Sequence, residues 1–302
     1  MFDNPSDPDY NPIKAAGFKF FHYDPSGPAA IVFKIMFLLS TLMGIVQMSR
    51  TRTWYLTPFL VGGALSTAGY VARYICSTQT PDWTLGPYLI QSLFLLVAPA
   101  LFAASIYMEL KRIIIVAQGE QLSPIPFRWL TKLFVGGDIL SFLLQGGGGG
   151  LVAQKDQDKI KMGQNLIVGG LFVQLTFFAA FTLTAVLFQV RVRRHPTSVS
   201  QLRDLVPWRK HIYALYFMSI LIFIRSVFRV IEYLQGYTGY LLVHEIYLYV
   251  FDSILMLFVC ITMNVVHPSE LDGLAFGGLV SRRGGLRYEV VQPINACWHT
   301  GR

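Results

Sequence analysis

Charged residues are scarce in this chain of 302 residues, at 14% of the total, whereas a typical soluble domain carries about 25%. Hydrophobic residues make up 53%, so an ordinary soluble domain is excluded and a membrane protein is indicated. Cysteine is scarce as well. Cys76, Cys260 and Cys297 are far apart and form no CxxC pair, so neither a disulfide framework nor a zinc site is indicated.

The motifs of several enzyme classes are missing. The chain has no GxxxxGK[ST] loop, which excludes ATP hydrolysis by that mechanism, and it has no HExxH zinc motif and no GxSxG elbow. Its histidines are scattered, and only His244 lies well inside an apolar stretch. We therefore expect no enzymatic activity, no metal and no cofactor. Bound zinc in the purified protein would instead indicate a membrane enzyme that acts on lipids.

Seven apolar stretches are each long enough to cross a bilayer, which takes about 20 residues. They run approximately over residues 28–48, 54–76, 88–116, 129–153, 162–190, 212–235 and 240–266. Because the connectors are short, we predict an all-α, polytopic membrane protein in which residues 28–266 form one seven-helix bundle. Residues 1–27 are predicted to be an extracellular tail, and residues 267–302 a disordered cytoplasmic tail.

Lysine and arginine are distributed unevenly over the predicted loops. With the N-terminus outside, the inner segments hold fifteen of them and the outer segments five. The positive-inside rule therefore favours an N-out, C-in orientation. The basic stretch 191–210 is either only this topology signal or also a contact for anionic headgroups of the inner leaflet. The basic residues of the inner segments account for most of the net charge of +8, so binding to nucleic acid is not needed to explain it.

Ionisable residues recur at helical spacing through the last two predicted spans. They are Arg225, Arg229 and Glu232 in the sixth span, and His244, Glu245, Tyr249 and Asp252 in the seventh. A charge at the centre of a membrane helix costs roughly 2.5–3.5 kcal/mol on insertion scales, so these residues are paired or used on a substrate. Counted outward from the turn near Thr238, Arg225 and Asp252 lie at matching depths. Arg229 and Glu245 lie at similar depths, and we predict an ion pair within each couple.

Two interpretations of these residues stay open. The pairs either fix how the two helices dock or line a polar cavity that binds a headgroup or relays protons. The same depth count puts His244 near Glu232, and a histidine that titrates near neutral pH suits a relay. Further binding or relay candidates within the predicted spans are Arg73, Gln91, Glu109 and Asp138. Charged groups at these positions favour an internal polar pocket.

Two backbone features interrupt the apolar pattern. Pro99 falls in the middle of the third predicted span and should kink it. Gly146 to Gly150 form a run of five glycines near the end of the fourth. This run predicts either a broken helix that lines a cavity or close packing of two helices.

Three long segments resemble the fungal lipid-translocating exporter family, the RTA-like proteins named for resistance to aminocholesterol. They are LGPYLIQSLFLLVAPALFAASIYMELKRII (85–114), RWLTKLFVGGDILSFLLQ (128–145) and IRSVFRVIEYLQGYTGYLLVHEIYLYVFDSILML (224–257). The stretches from Tyr23 to Ser26 and from Asn264 to Pro268 are also similar to it. The similarity covers roughly residues 23–268, in the same order and spacing.

The resemblance implies a seven-span fungal protein of the plasma membrane, or of a vacuolar or other internal membrane. It implies translocation or export of lipids such as sphingoid long-chain bases, resistance to sterol-like toxicants and, in one branch, movement of porphyrins. Membrane lipids or amphiphilic small molecules are the expected partners. The alternative is a seven-helix lipid sensor or a regulator of another transporter.

Overall fold

Helices make up the regular structure of this chain. The computed structural model describes residues 25–79, 84–117, 119–152, 157–195, 208–235 and 240–271, and it contains no strand within those ranges. The long helices are α1 (Gly27–Thr51), α2 (Thr57–Thr78), α3 (Leu85–Val116), α4 (Phe127–Val152), α5 (Gln157–Arg194) and α6 (Trp208–Leu234). The predicted tails lie outside the described residues except for 25–27 and 267–271, as does the predicted turn near Thr238.

The last part of the chain is helical but interrupted. It consists of α7 (Tyr240–Val243), α8 (Glu245–Leu248), a π-helical turn (Tyr249–Ile254) and α9 (Leu255–Val265). His244 separates α7 from α8 with an extended backbone, at φ −109° and ψ 110°. A π turn holds one residue more than an α-helical turn, and such turns are frequent at functional sites.

Five helical segments are long and apolar enough to cross a bilayer. They are Gly27–Thr51, Gly86–Val116, Asp158–Arg194, Arg209–Leu234 and Glu245–Leu271. Helices α2 and α4 do not meet the same criterion, because glycine, hydroxyl-bearing and charged residues lower their mean hydropathy. The prediction of an all-helical, multi-pass membrane protein is confirmed, while the count of seven spans and the N-out orientation stay predictions.

The helices form a closed bundle. Each of α1 to α5 packs against the next helix, and α9 closes the ring because it contacts both α6 and α1. Helix α3 lies towards the middle, since it contacts α2, α4 and α6. Its side chains Phe102, Tyr107 and Leu110 are completely buried. On the outside, large apolar side chains such as Leu39 and Val265 are at least 60% exposed, which suits a surface in contact with lipid.

The glycine run belongs to a helix–helix contact. Helix α4 continues without a break through residues 146–150. At Gly148 a Cβ atom would lie 2.6 Å from the carbonyl oxygen of Gly163 in α5, whereas Gly149 and Gly150 have nothing within 4 Å. Of the two predictions for this run, close packing is confirmed at Gly148, and a broken helix is wrong.

Candidate functional site

An ion pair is buried between α6 and the π turn. Nε of the Arg225 guanidinium lies against Oδ1 of Asp252 as an ion pair, and each residue is only 4% exposed. The prediction of this pair from matched depths is confirmed. Each charge offsets the desolvation of the other, so removing either partner would leave a buried charge without compensation.

The same arginine satisfies a backbone carbonyl that proline leaves without its helical donor. Helix α3 continues through Pro99, and proline has no N–H to donate to the carbonyl four residues earlier. That carbonyl belongs to Leu95, and Arg225 Nη2 donates to it at 3.0 Å. Arg225 therefore connects three elements: α6, which carries it, α3 at the proline, and the π turn at Asp252.

A small cavity lies beside this ion pair. Its volume is about 10 Å³, and its walls are Phe37, Ser66, Tyr70, Leu95, Ala98, Pro99, Asp252, Ser253 and Met256. A space of that order holds about one water molecule. On its wall the Tyr70 hydroxyl donates to Ser253 Oγ. We refer to Tyr70, Arg225, Asp252, Ser253 and the Leu95 carbonyl as the polar centre.

A second ion pair joins α2 to the start of α8. Arg73 is fully buried, and its Nη2 lies 2.6 Å from Oε1 of Glu245. Arg73 Nε also donates to the Tyr249 hydroxyl at 2.9 Å. The backbone N–H of Ser26, just before α1, donates to both oxygens of Glu245 at 2.9 and 3.1 Å. The predicted pairing of Arg229 with Glu245 is therefore wrong.

Arg229 instead pairs within its own helix. Its Nη1 donates to Oε2 of Glu232, one turn further along α6, at 2.8 Å. His244 is exposed, and its Nδ1 lies 2.9 Å from the carbonyl oxygen of Tyr240. The described structure therefore does not support the prediction that His244 lies near Glu232. Depth along a helix does not determine in which direction around the helix axis a side chain points.

A buried histidine that the sequence patterns did not single out lies at one end of the bundle. His211 Nδ1 is 3.2 Å from Oε1 of Glu109, and both side chains are fully buried. His211 Nε2 lies 3.4 Å from Glu270, which also pairs with Lys210. The sequence feature that could have pointed to His211 is Glu109, because a buried carboxylate needs a polar or charged partner.

The remaining candidates form no hydrogen bond or ion pair with the polar centre among the described residues. Asp138 is 5% exposed in α4, beside Tyr107 of α3. Gln91 of α3 is also 5% exposed, and its Oε1 has no hydrogen-bond donor among the described residues. Within the described ranges no group of three or more His, Cys, Asp or Glu side chains is arranged to hold a metal ion.

Arg73 and Glu245 should be coupled energetically. Buried charges in contact typically show coupling free energies of about 0.5–3 kcal/mol in double-mutant cycles. We expect about 1–3 kcal/mol from Arg73→Met combined with Glu245→Gln, measured as the free energy of unfolding in detergent micelles. The matched cycle of Arg229→Met with Glu245→Gln should give a coupling within about 0.5 kcal/mol of zero. Equal coupling in the two cycles would contradict the observed pairing.

Comparison with known proteins finds relatives along most of the chain. The model of the family described as "RTA1 like protein" matches residues 59–273. "Protoporphyrin uptake protein 1" of Saccharomyces cerevisiae is 36% identical over 83% of this chain and 92% of its own length. "Protein RTA1" of the same organism is 34% identical over 83% of this chain and 86% of its own. "Sphingoid long-chain base transporter RSB1" is 27% identical over 78% and 68%. No solved structure matches.

Proposed function

Because the chain belongs to the RTA1-like family, we propose that it moves lipid-like amphiphiles across a membrane. One relative is named for uptake of a porphyrin and another for transport of a sphingoid base. Both compounds combine a large apolar body with charged or ionisable polar groups. The names support a transporter rather than an enzyme.

The observation that carries this proposal is the Arg225–Asp252 pair beside the small cavity. A charged pair in the interior of a membrane protein is expensive and commonly marks a pathway for a polar group. Here each member offers a complementary charge. Asp252 suits the amine of a sphingoid base, and Arg225 suits a carboxylate such as those of a porphyrin. A cargo headgroup would replace one half of the pair, so that neither charge is left without a partner.

The backbone around the polar centre has features that favour separation of the helices at that place. The cavity holds about one water molecule, so an amphiphile passes only if α2, α3 and the last helical stretch separate there. Pro99 and the π turn interrupt regular helical hydrogen bonding on two of these elements. Interrupted turns of this kind are where helices bend. We propose that the polar centre opens and closes at these two positions.

The topology in this proposal is a seven-span bundle with the N-terminus outside. Charge counts support it, because the inner loops carry three times as many basic residues as the outer loops. The plasma membrane is the proposed location, with export of sphingoid bases or sterol-like toxicants as the direction. Helices α2 and α4 would cross the bilayer with their small and polar side chains turned toward neighbouring helices.

A lipid sensor or a regulator of another transporter is the second candidate. The small size of the cavity favours it, since a sensor needs a headgroup contact but no passage through the bundle. Both candidates use the same polar centre. They differ in whether the purified protein alone moves a lipid between leaflets.

The test is transport by the purified protein in vesicles. Full-length protein reconstituted into neutral phospholipid vesicles should speed the exchange of a fluorescent sphingoid base, or of protoporphyrin, between the two leaflets. Protein-free vesicles and vesicles holding an unrelated helical membrane protein give the background rate. Exchange at the background rate for both compounds would contradict the transporter, and saturable binding without exchange would favour the sensor.

A further inference from the structure

Asp138 differs from the other acidic side chains that are buried or partly buried in the described structure. Those acids are Glu109, Glu232, Glu245 and Asp252, which face His211, Arg229, Arg73 and Arg225 respectively. Asp138 is 5% exposed, and no cation lies against it within the described ranges. Neither of its carboxylate oxygens completes a hydrogen bond there.

The surroundings of Asp138 are aromatic. Tyr107 is the titratable group beside it, and its hydroxyl lies close enough to the carboxylate to interact with it, although the geometry completes no hydrogen bond between the two side chains. Three phenylalanines pack around Tyr107, with ring centroids 4.5 Å away for Phe181, 5.5 Å for Phe134 and 6.3 Å for Phe178. All three are almost completely buried. This packing leaves the carboxyl group with little contact to water.

An ionised carboxylate is strongly disfavoured in such a place. No cation among the described residues offsets its charge, and burying an ionised carboxylate without a charged partner is among the most costly events in a protein interior. A bound proton removes the charge and converts the group into a hydrogen-bond donor. The Tyr107 hydroxyl oxygen is the nearby acceptor. The ligand that this site fits is therefore a proton, because a proton neutralises the carboxylate where no cation lies against it among the described residues.

We propose that Asp138 is a proton-binding site whose loading and unloading drive the movement of cargo through the polar centre. This rests on the proposed transport function. Helix α3 links the two places, since Tyr107 lies two turns beyond Pro99 on that helix. Charging Asp138 changes how α4 packs against α3, and α3 carries the Leu95 carbonyl that Arg225 holds.

Polar side chains continue from Asp138 along the seam between α4 and α5. Ser141 follows one turn later and donates to the Gly170 carbonyl at 2.9 Å. Gln145, one turn further, donates to Ser141 Oγ at 2.6 Å and to Gln174 Oε1 at 3.2 Å. This row of hydroxyl and amide groups makes the seam between α4 and α5 polar beyond Asp138.

Infrared spectroscopy of the full-length protein in vesicles tests the proton site without using transport. At neutral pH, where exposed carboxyl groups are ionised, wild type should show the carbonyl band of a protonated carboxylic acid. Asp138→Asn should lose that band. Glu120→Gln, which alters an exposed acid just before α4, should keep it. Survival of the band in Asp138→Asn would overturn the proposal.

Transport under a pH gradient tests the coupling. A proton gradient should accelerate movement of the fluorescent sphingoid base in wild type and in Glu120→Gln, whereas Asp138→Asn should move it at one rate whatever the gradient. If Asp138→Asn still responds to the gradient, the coupling is overturned while the transport function stands. If wild type moves no cargo, the transport function fails and the infrared band still decides whether Asp138 binds a proton.

A second variant covers the case in which Asp138→Asn does not fold. Tyr107→Phe removes the acceptor hydroxyl and keeps the carboxyl group and the aromatic packing. The carbonyl band should remain and shift in frequency, because the protonated carboxyl group loses the hydroxyl oxygen to which we propose that it donates. An unshifted band would contradict the contact between the two side chains and with it the proposed site.

Discussion

Asparagine in place of Asp252 is expected to slow the movement of amphiphiles by about tenfold or more, while the protein still reaches its membrane. A hydrogen bond to a charged group contributes about 1.5–3 kcal/mol, and about 1.4 kcal/mol corresponds to a tenfold change in rate. Asparagine keeps the shape of the side chain and one acceptor for Arg225 Nε. It removes the charge that would hold a cationic headgroup. The measurement is leaflet exchange of a fluorescent sphingoid base, with surface expression and gel filtration as checks of folding.

Two further variants separate a functional charge from a structural one. The double variant Arg225→Gln, Asp252→Asn removes both charges, so any stability lost through an unpaired Arg225 should return while transport stays low. Glu232→Gln alters a buried acid that pairs within its own helix, and it should leave exchange near the wild-type rate. If Asp252→Asn misfolds and the double variant restores both folding and transport, the pair serves only to dock the helices.

Alanine at Gly148 is expected to lower the free energy of unfolding by about 1–3 kcal/mol, as overpacking of a tight contact does. The added Cβ would lie 2.6 Å from the Gly163 carbonyl oxygen and 2.9 Å from the backbone nitrogen of Ile167. Because both are backbone atoms, no side chain can turn away to make room. Helices α4 and α5 would have to move apart. Unfolding in mixed detergent micelles, followed by tryptophan fluorescence, measures the change.

Gly149 is the matched control, because it lies next to Gly148 on the same helix and has nothing within 4 Å. Alanine there should be neutral or stabilising by up to about 1 kcal/mol, since alanine is the better helix former.

In Gly163→Ala the added Cβ would lie 2.6 Å from the Gly148 carbonyl oxygen, so this variant should be destabilised like Gly148→Ala. The double variant should cost less than the sum, because helices that have already separated tolerate the second methyl group. Equal effects at Gly148 and Gly149 would contradict the close crossing.

Depth matching predicted one ion pair correctly and one wrongly, and the reason is geometric. The residues between α6 and the last helical stretch are few, so residues at equal distance from the connection lie at equal depth. That reasoning suits Arg225 and Asp252, which face each other. It says nothing about rotation about the helix axis. Arg229 turns to Glu232 on its own helix, and Glu245 turns to a helix that the count did not include.

The sequence by itself determined that this is an all-helical membrane protein with charges inside its bundle. The length of apolar runs and the helical spacing of residues are local properties, and they do not depend on how the helices pack. Only the tertiary structure decided which partners these charges have. Arg73 meets Glu245 across 172 positions of sequence, and Glu109 meets His211 across 102. A buried charge accepts any opposite charge at its depth, so the order and rotation of the helices select the partner. The same packing left Asp138 without a cation among the described residues, and in the structure this sets it apart from the other buried acids.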